Sequence, residues 1–130
     1  MIGKGFALIK KLNQKSCTNI IVVYAFDTLE ETFGYNLDRT CNEIRATYSY
    51  DISCQGTVPE SIIAFLESTD YESAIRLTIS LRGDADTMGA ITGGIAEAYY
   101  GGVPAFIKEE TMDATLDSED IALLNQLSDK

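Results

Sequence analysis

Hydrophobic positions recur at helical spacing through the second half of the chain. Val58, Ile62, Phe65 and Leu66 fall on one helical face, and Thr57 with Glu60 fits a capping box ahead of them, with Pro59 in the first turn. Asp70 is placed to cap a second helix running to about Ser80, with Ala74, Leu77, Thr78 and Leu81 facing inward. Arg82 to Asp86 reads as a tight loop. A third helix follows from Thr87 to Tyr100, stopped by Gly101, Gly102 and Pro104. Asp117 or Ser118 caps a last helix, with Ile121, Leu124 and Leu127 on one side. Helices joined by short loops predict a mainly α domain.

The first half is patterned differently. Gly5 to Leu12 suits a short helix, and Ile20 to Phe26 (IIVVYAF) has the β-branched run of a buried strand. Thr32 to Ser53 is polar and aromatic and ends in a loop, YSYDISCQG. Residues 1–31 therefore form a poorly defined segment, and residues 32–130 carry the organised part.

Composition narrows the chemistry. The 130 residues carry a formal net charge of −10, which argues against a nucleic-acid partner. Lys4, Lys10, Lys11 and Lys15 make the start basic, and Glu109, Glu110, Asp113, Asp117, Glu119 and Asp120 make the tail acidic. Solvated helix faces account for both. No histidine is present, which removes imidazole acid–base chemistry, Ser-His-Asp triads and most zinc sites. Cys17, Cys41 and Cys54 lack metal-ligand spacing and suggest reduced thiols in a cytoplasmic protein. The apolar stretch from Met88 to Ile107 is interrupted by Glu97, Pro104 and the Gly101-Gly102 pair, so no membrane span is expected.

Ser80 to Gly102, SLRGDADTMGAITGGIAEAYYGG, remains the densest stretch of chemistry. Asp84, Asp86 and Thr87 place three oxygen-bearing side chains at the mouth of a helix rich in small residues, the donor type that a hard cation requires. An EF-hand register fails, because Met88 and Ile95 stand where its fifth and twelfth positions need oxygen. Helix capping by the two aspartates explains the spacing about as well as cation binding does. Gly89, Gly93 and Gly94 suit close helix packing, with room for a ligand as the alternative, and Tyr99 and Tyr100 read as packing residues with wet hydroxyls.

GDADTMGAITGGIAEAYYG resembles the C-terminal signature of the ADP-ribosylglycohydrolase family, and YDISCQGTVPESIIAFLESTDYESAIRLTISL resembles the segment before it. The resemblance runs from about Phe33 to Ile107. It implies an orthogonal all-α fold and two Mg²⁺ ions, with Mn²⁺ as the alternative, at the base of an ADP-ribose cleft. Carried over by position, Asp84, Asp86 and Thr87 are metal ligands, and Ser53, Gly56 and Val58 lie in the loop lining the cleft. The implied activity is hydrolysis of the N- or O-glycosidic bond of an ADP-ribosylated small molecule or protein. The two aspartates would be ligands, which leaves the general acid or base to come from elsewhere.

Two departures from the family pattern stand out. Arg82 occupies a position where the family has glycine, beside the metal loop. The Thr-Asp-Asp motif that the family's N-terminal half supplies is absent, and Asp27 to Glu31 (DTLEE) is a poor substitute. The chain is thus expected to be truncated on the N-terminal side and to carry half a metal site. Three readings follow: a hydrolase or part of one, a non-catalytic remnant with weak cation or ADP-ribose affinity, and a helical interaction module. The last two leave room for self-association or a complementing N-terminal chain.

Overall fold

A computed structural model describes the backbone of residues 17–128 and the side chains from residue 25 to 128. The expected helix from Gly5 to Leu12 lies outside these residues. Seven helices follow one another: α1 Cys17–Phe33, α2 Cys41–Thr47, α3 Cys54–Glu67, α4 Tyr71–Ser80, α5 Ala85–Tyr100, α6 Ala105–Thr115 and α7 Ser118–Ser128. Among the described residues there is no strand, so the all-α expectation holds. None of the helices in this part is long and apolar enough to cross a membrane.

The centre of the fold is α3 against α4 and α5. Every residue from 61 to 66 is buried, so α3 is covered on all sides in its second half. Phe65 is fully buried and meets Phe26 of α1 at 6.2 Å between ring centroids, Tyr99 at 5.2 Å and Tyr100 at 6.1 Å. A buried polar thread fixes how the three helices meet. The Thr78 and Thr92 hydroxyls are 2.8 Å apart, Thr92 donates to the Ser61 carbonyl at 3.0 Å, and Ser61 donates to the Thr57 carbonyl at 2.7 Å. Buried hydroxyls satisfied in this way hold a specific rotation of each helix about its axis.

The β-branched stretch Ile20 to Phe26 is helical and not a strand, forming the middle of α1. A continuous apolar run has no period to read. The helix-favouring DTLEETF that follows extends the same element, and tertiary packing of Phe26 on Phe65 overrides the local preference. Nor do Thr57 and Glu60 cap α3. The helix starts earlier, where Ser53 accepts the Gly56 N–H at 3.1 Å, and Pro59 lies inside it. Thr57 instead donates its hydroxyl to the Ser53 carbonyl at 2.8 Å. Glu60 is buried, in an ion pair with Arg39 at 2.7 Å.

The later helices follow the expected order, except that α6, Ala105–Thr115, is a helix that the sequence reading did not place. Asp70 caps α4 by accepting the Ser73 N–H at 2.7 Å. Gly101 ends α5 in the left-handed region at φ 84°, where its N–H reaches the Glu97 carbonyl at 3.1 Å. Asp117 starts α7 by accepting from Glu119 and Asp120 at 2.9 and 3.0 Å. Its apolar side is not covered, however: Leu124 and Leu127 are exposed. Tyr100 does not leave its hydroxyl to water either, since it bonds Ser68 at 2.8 Å.

The glycines of α5 divide by surroundings. A Cβ on Gly93 would sit 3.3 Å from the Tyr71 hydroxyl and 3.4 Å from Ile75, which is close packing on α4. A Cβ on Gly89 or Gly94 would meet nothing within 4 Å. Gly94→Ala is therefore expected to raise stability by about 1 kcal/mol, and Gly93→Ala to bring no gain. Melting temperatures of the two variants check this; an equal rise in both would remove the packing explanation.

Candidate functional site

The starts of α3 and α5, which carry the two segments singled out by sequence, are linked at one corner through Tyr48. Asp84 occupies the N-cap position of α5, yet its side chain makes no capping hydrogen bond. Asp86 lies in the first turn, and both Asp86 and Thr87 are exposed. Capping thus does not account for Asp84. The neighbouring Asp84 side chain, followed by the N–H groups of Asp86 and Thr87, holds the Asp86 carboxyl below the ordinary carboxylate range. Two carboxyl groups brought this close repel once both are ionised, unless a proton or cation lies between them. That donor set fits one side of a hard-cation site. Among the described residues no cluster of three or more carboxylate or thiol side chains converges to hold a metal.

The facing wall is the start of α3. Ser53 is its N-cap, Gly56 lies half-buried in its first turn, and Val58 packs against the hydrophobic core. Asp51 accepts the Ser53 N–H at 2.7 Å, and the backbone and side chain of Ser53 together lower the Asp51 pKa. Cys54 is an exposed thiol, and Cys41 is buried.

Tyr48, which sequence reading left as one of several spaced aromatics, stands between the walls. Its hydroxyl donates to the Gly56 carbonyl at 2.8 Å and lies 3.7 Å from the Met88 sulfur. Burial is the main cause that raises its pKa, and the charges of Glu60, Asp51 and Asp84 add to it. The charges of three acids from three segments therefore act on one phenol. Their spacing in sequence gives no motif, which is why the cluster was not visible there.

Arg82 is exposed and takes φ 62°, left-handed and immediately beyond the α4 C-cap Leu81. Glycine is the residue favoured at such a position, so the departure at Arg82 is first a matter of backbone conformation. The DTLEE segment lies in α1. Glu30 is buried and accepts the Leu37 N–H at 2.8 Å, which braces the turn out of that helix.

A concavity of about 480 Å³ lies at the other end of α5, lined by Tyr71, Glu97, Val103, Ile107, Met112 and Leu124 among others. It shares no residue with the carboxylate corner. Residues 7–130 match the model of the ADP-ribosylglycohydrolase family. No curated protein and no solved structure matches the chain.

Proposed function

We propose a function on one premise: the chain belongs to the ADP-ribosylglycohydrolase family. The reading is hydrolysis of the N- or O-glycosidic bond of an ADP-ribosylated group, with Asp84, Asp86 and Thr87 as one side of an Mg²⁺ site. What supports it is the Asp84 side chain, which stands at the N-cap of α5 without capping it, two residues from Asp86 at the mouth of the helix. Ser53 and Gly56 are the candidates for the substrate-facing wall, while Val58 contributes through packing.

Cations held there would orient ribose hydroxyls and a water and offset charge at an oxocarbenium-like transition state. The aspartates serve as ligands, so a proton donor must come from another group. The remaining ligands come from residues beyond the described ones or from a second chain, because no third carboxylate joins the pair. That same observation favours a second reading, in which the described part binds a cation or ADP-ribose without hydrolysing anything.

Calorimetric titration of the purified chain with Mg²⁺ or Mn²⁺, followed by ADP-ribose, tests the first reading. Asp84→Asn and Asp86→Asn are each expected to weaken cation binding by at least about tenfold, the effect of removing one charged ligand. Absence of cation binding by the unaltered chain would discard the ligand role of this corner. Binding without release of ADP-ribose from an ADP-ribosylated arginine or serine peptide would favour the second reading.

A further inference from the structure

We propose that Tyr48 is a positioning residue that fastens the first turn of α3 to the loop before α5, so that the two walls of the corner move as one. The inference rests on the reading of that corner as the site. Tyr48 sits directly after α2, where its N–H bonds the Ile44 carbonyl at 2.7 Å. From that anchor the side chain reaches both walls, donating to the Gly56 carbonyl at 2.8 Å and lying 3.7 Å from the Met88 sulfur.

The glycines on either side give independent support. Gly83 is not among the residues with positive φ, so backbone freedom does not explain it. Space does: a Cβ there would collide with the Tyr48 ring and lie 2.8 Å from the Met88 sulfur. On the opposite wall, a Cβ on Gly56 would collide with the Asp51 carboxylate. One short segment, residues 48–53, is thus wedged between two walls that each carry a glycine to admit it. Burial and the charges of its carboxylate neighbours disfavour deprotonation of the phenol, so it is a donor at neutral pH.

Hydrogen–deuterium exchange of the full chain, read by mass spectrometry, tests this. Tyr48→Phe keeps the ring and removes the hydroxyl. Exchange at Gly56 and Thr57 is expected to quicken about fivefold, the factor one neutral hydrogen bond is worth. Segments around Phe65 and Thr92 should not change. Gly83→Ala, which displaces the ring, should release the same residues. Faster exchange throughout the chain would reduce Tyr48 to a packing role, and no change at Gly56 and Thr57 would overturn the proposal. In a second arm, Mn²⁺ should slow exchange of residues 53–57 in the unaltered chain and not in Tyr48→Phe. Equal slowing in both would also overturn it. Failure of Mn²⁺ to bind the unaltered chain would remove the cation reading alone, since the cation-free exchange decides the role of Tyr48.

Discussion

Phe65→Ala is expected to lower the unfolding free energy by about 3–5 kcal/mol, the range for deleting a fully buried aromatic side chain. Phe65 is 0% exposed, and its ring touches Phe26, Tyr99 and Tyr100 from two other helices. Truncation leaves a cavity that those rings cannot fill without leaving their own positions. Tyr100 is further tied to Ser68 at 2.8 Å, which opposes collapse inward. Urea unfolding followed by circular dichroism measures the loss. A value under about 1 kcal/mol would mean that the aromatic cluster repacks and does not hold α1 to the centre.

Arg39→Ala should carry the next largest penalty, about 2–4 kcal/mol, because it strands the Glu60 carboxylate inside the protein. The Glu60 side chain is 5% exposed and that of Arg39 is 35% exposed, so the acid is the desolvated partner. One Glu60 oxygen pairs with Arg39 at 2.7 Å, and the other is buried without a hydrogen-bond partner. Loss of the guanidinium then leaves a buried charge with neither oxygen satisfied. The test is the double variant Arg39→Ala, Glu60→Leu, which should recover most of the lost stability in the same urea experiment. If the double variant is no more stable than the single one, the penalty does not come from the stranded charge.

The capping pattern shows how far sequence could reach. Thr-x-x-Glu occurs at Thr40–Glu43 and again at Thr57–Glu60. At the first place it is a true capping box and starts α2, a helix that the aromatic and polar reading of residues 32–53 passed over. At the second, neither residue caps, because Ser53 already starts the helix and burial draws Glu60 to Arg39. Local chemistry was the same in both cases, and what differed was tertiary. Asp70 and Gly101, by contrast, act through neighbours within a few residues, and both were legible.

The candidate site divides in the same way. Asp84, Asp86 and Thr87 lie within four consecutive positions, so their grouping could be seen in the sequence. Tyr48 meets Gly56, and Arg39 meets Glu60, only after α2 and α3 have packed, with no fixed spacing to announce them. Gly83 illustrates the remaining gap. Its need for a missing side chain is set by a ring 35 residues earlier in the chain, as the two residue numbers show.

α5 separates the carboxylate corner from the groove beside Glu97. Its 16 residues span about 24 Å, with the carboxylate corner at one end and the groove beside Glu97 at the other. Molecules lodged at the two ends would not compete for space. Any influence of one on the other would have to travel as a shift of the whole rod along α3 and α4, and the Thr78–Thr92–Ser61 hydroxyl thread lies where such sliding would be resisted.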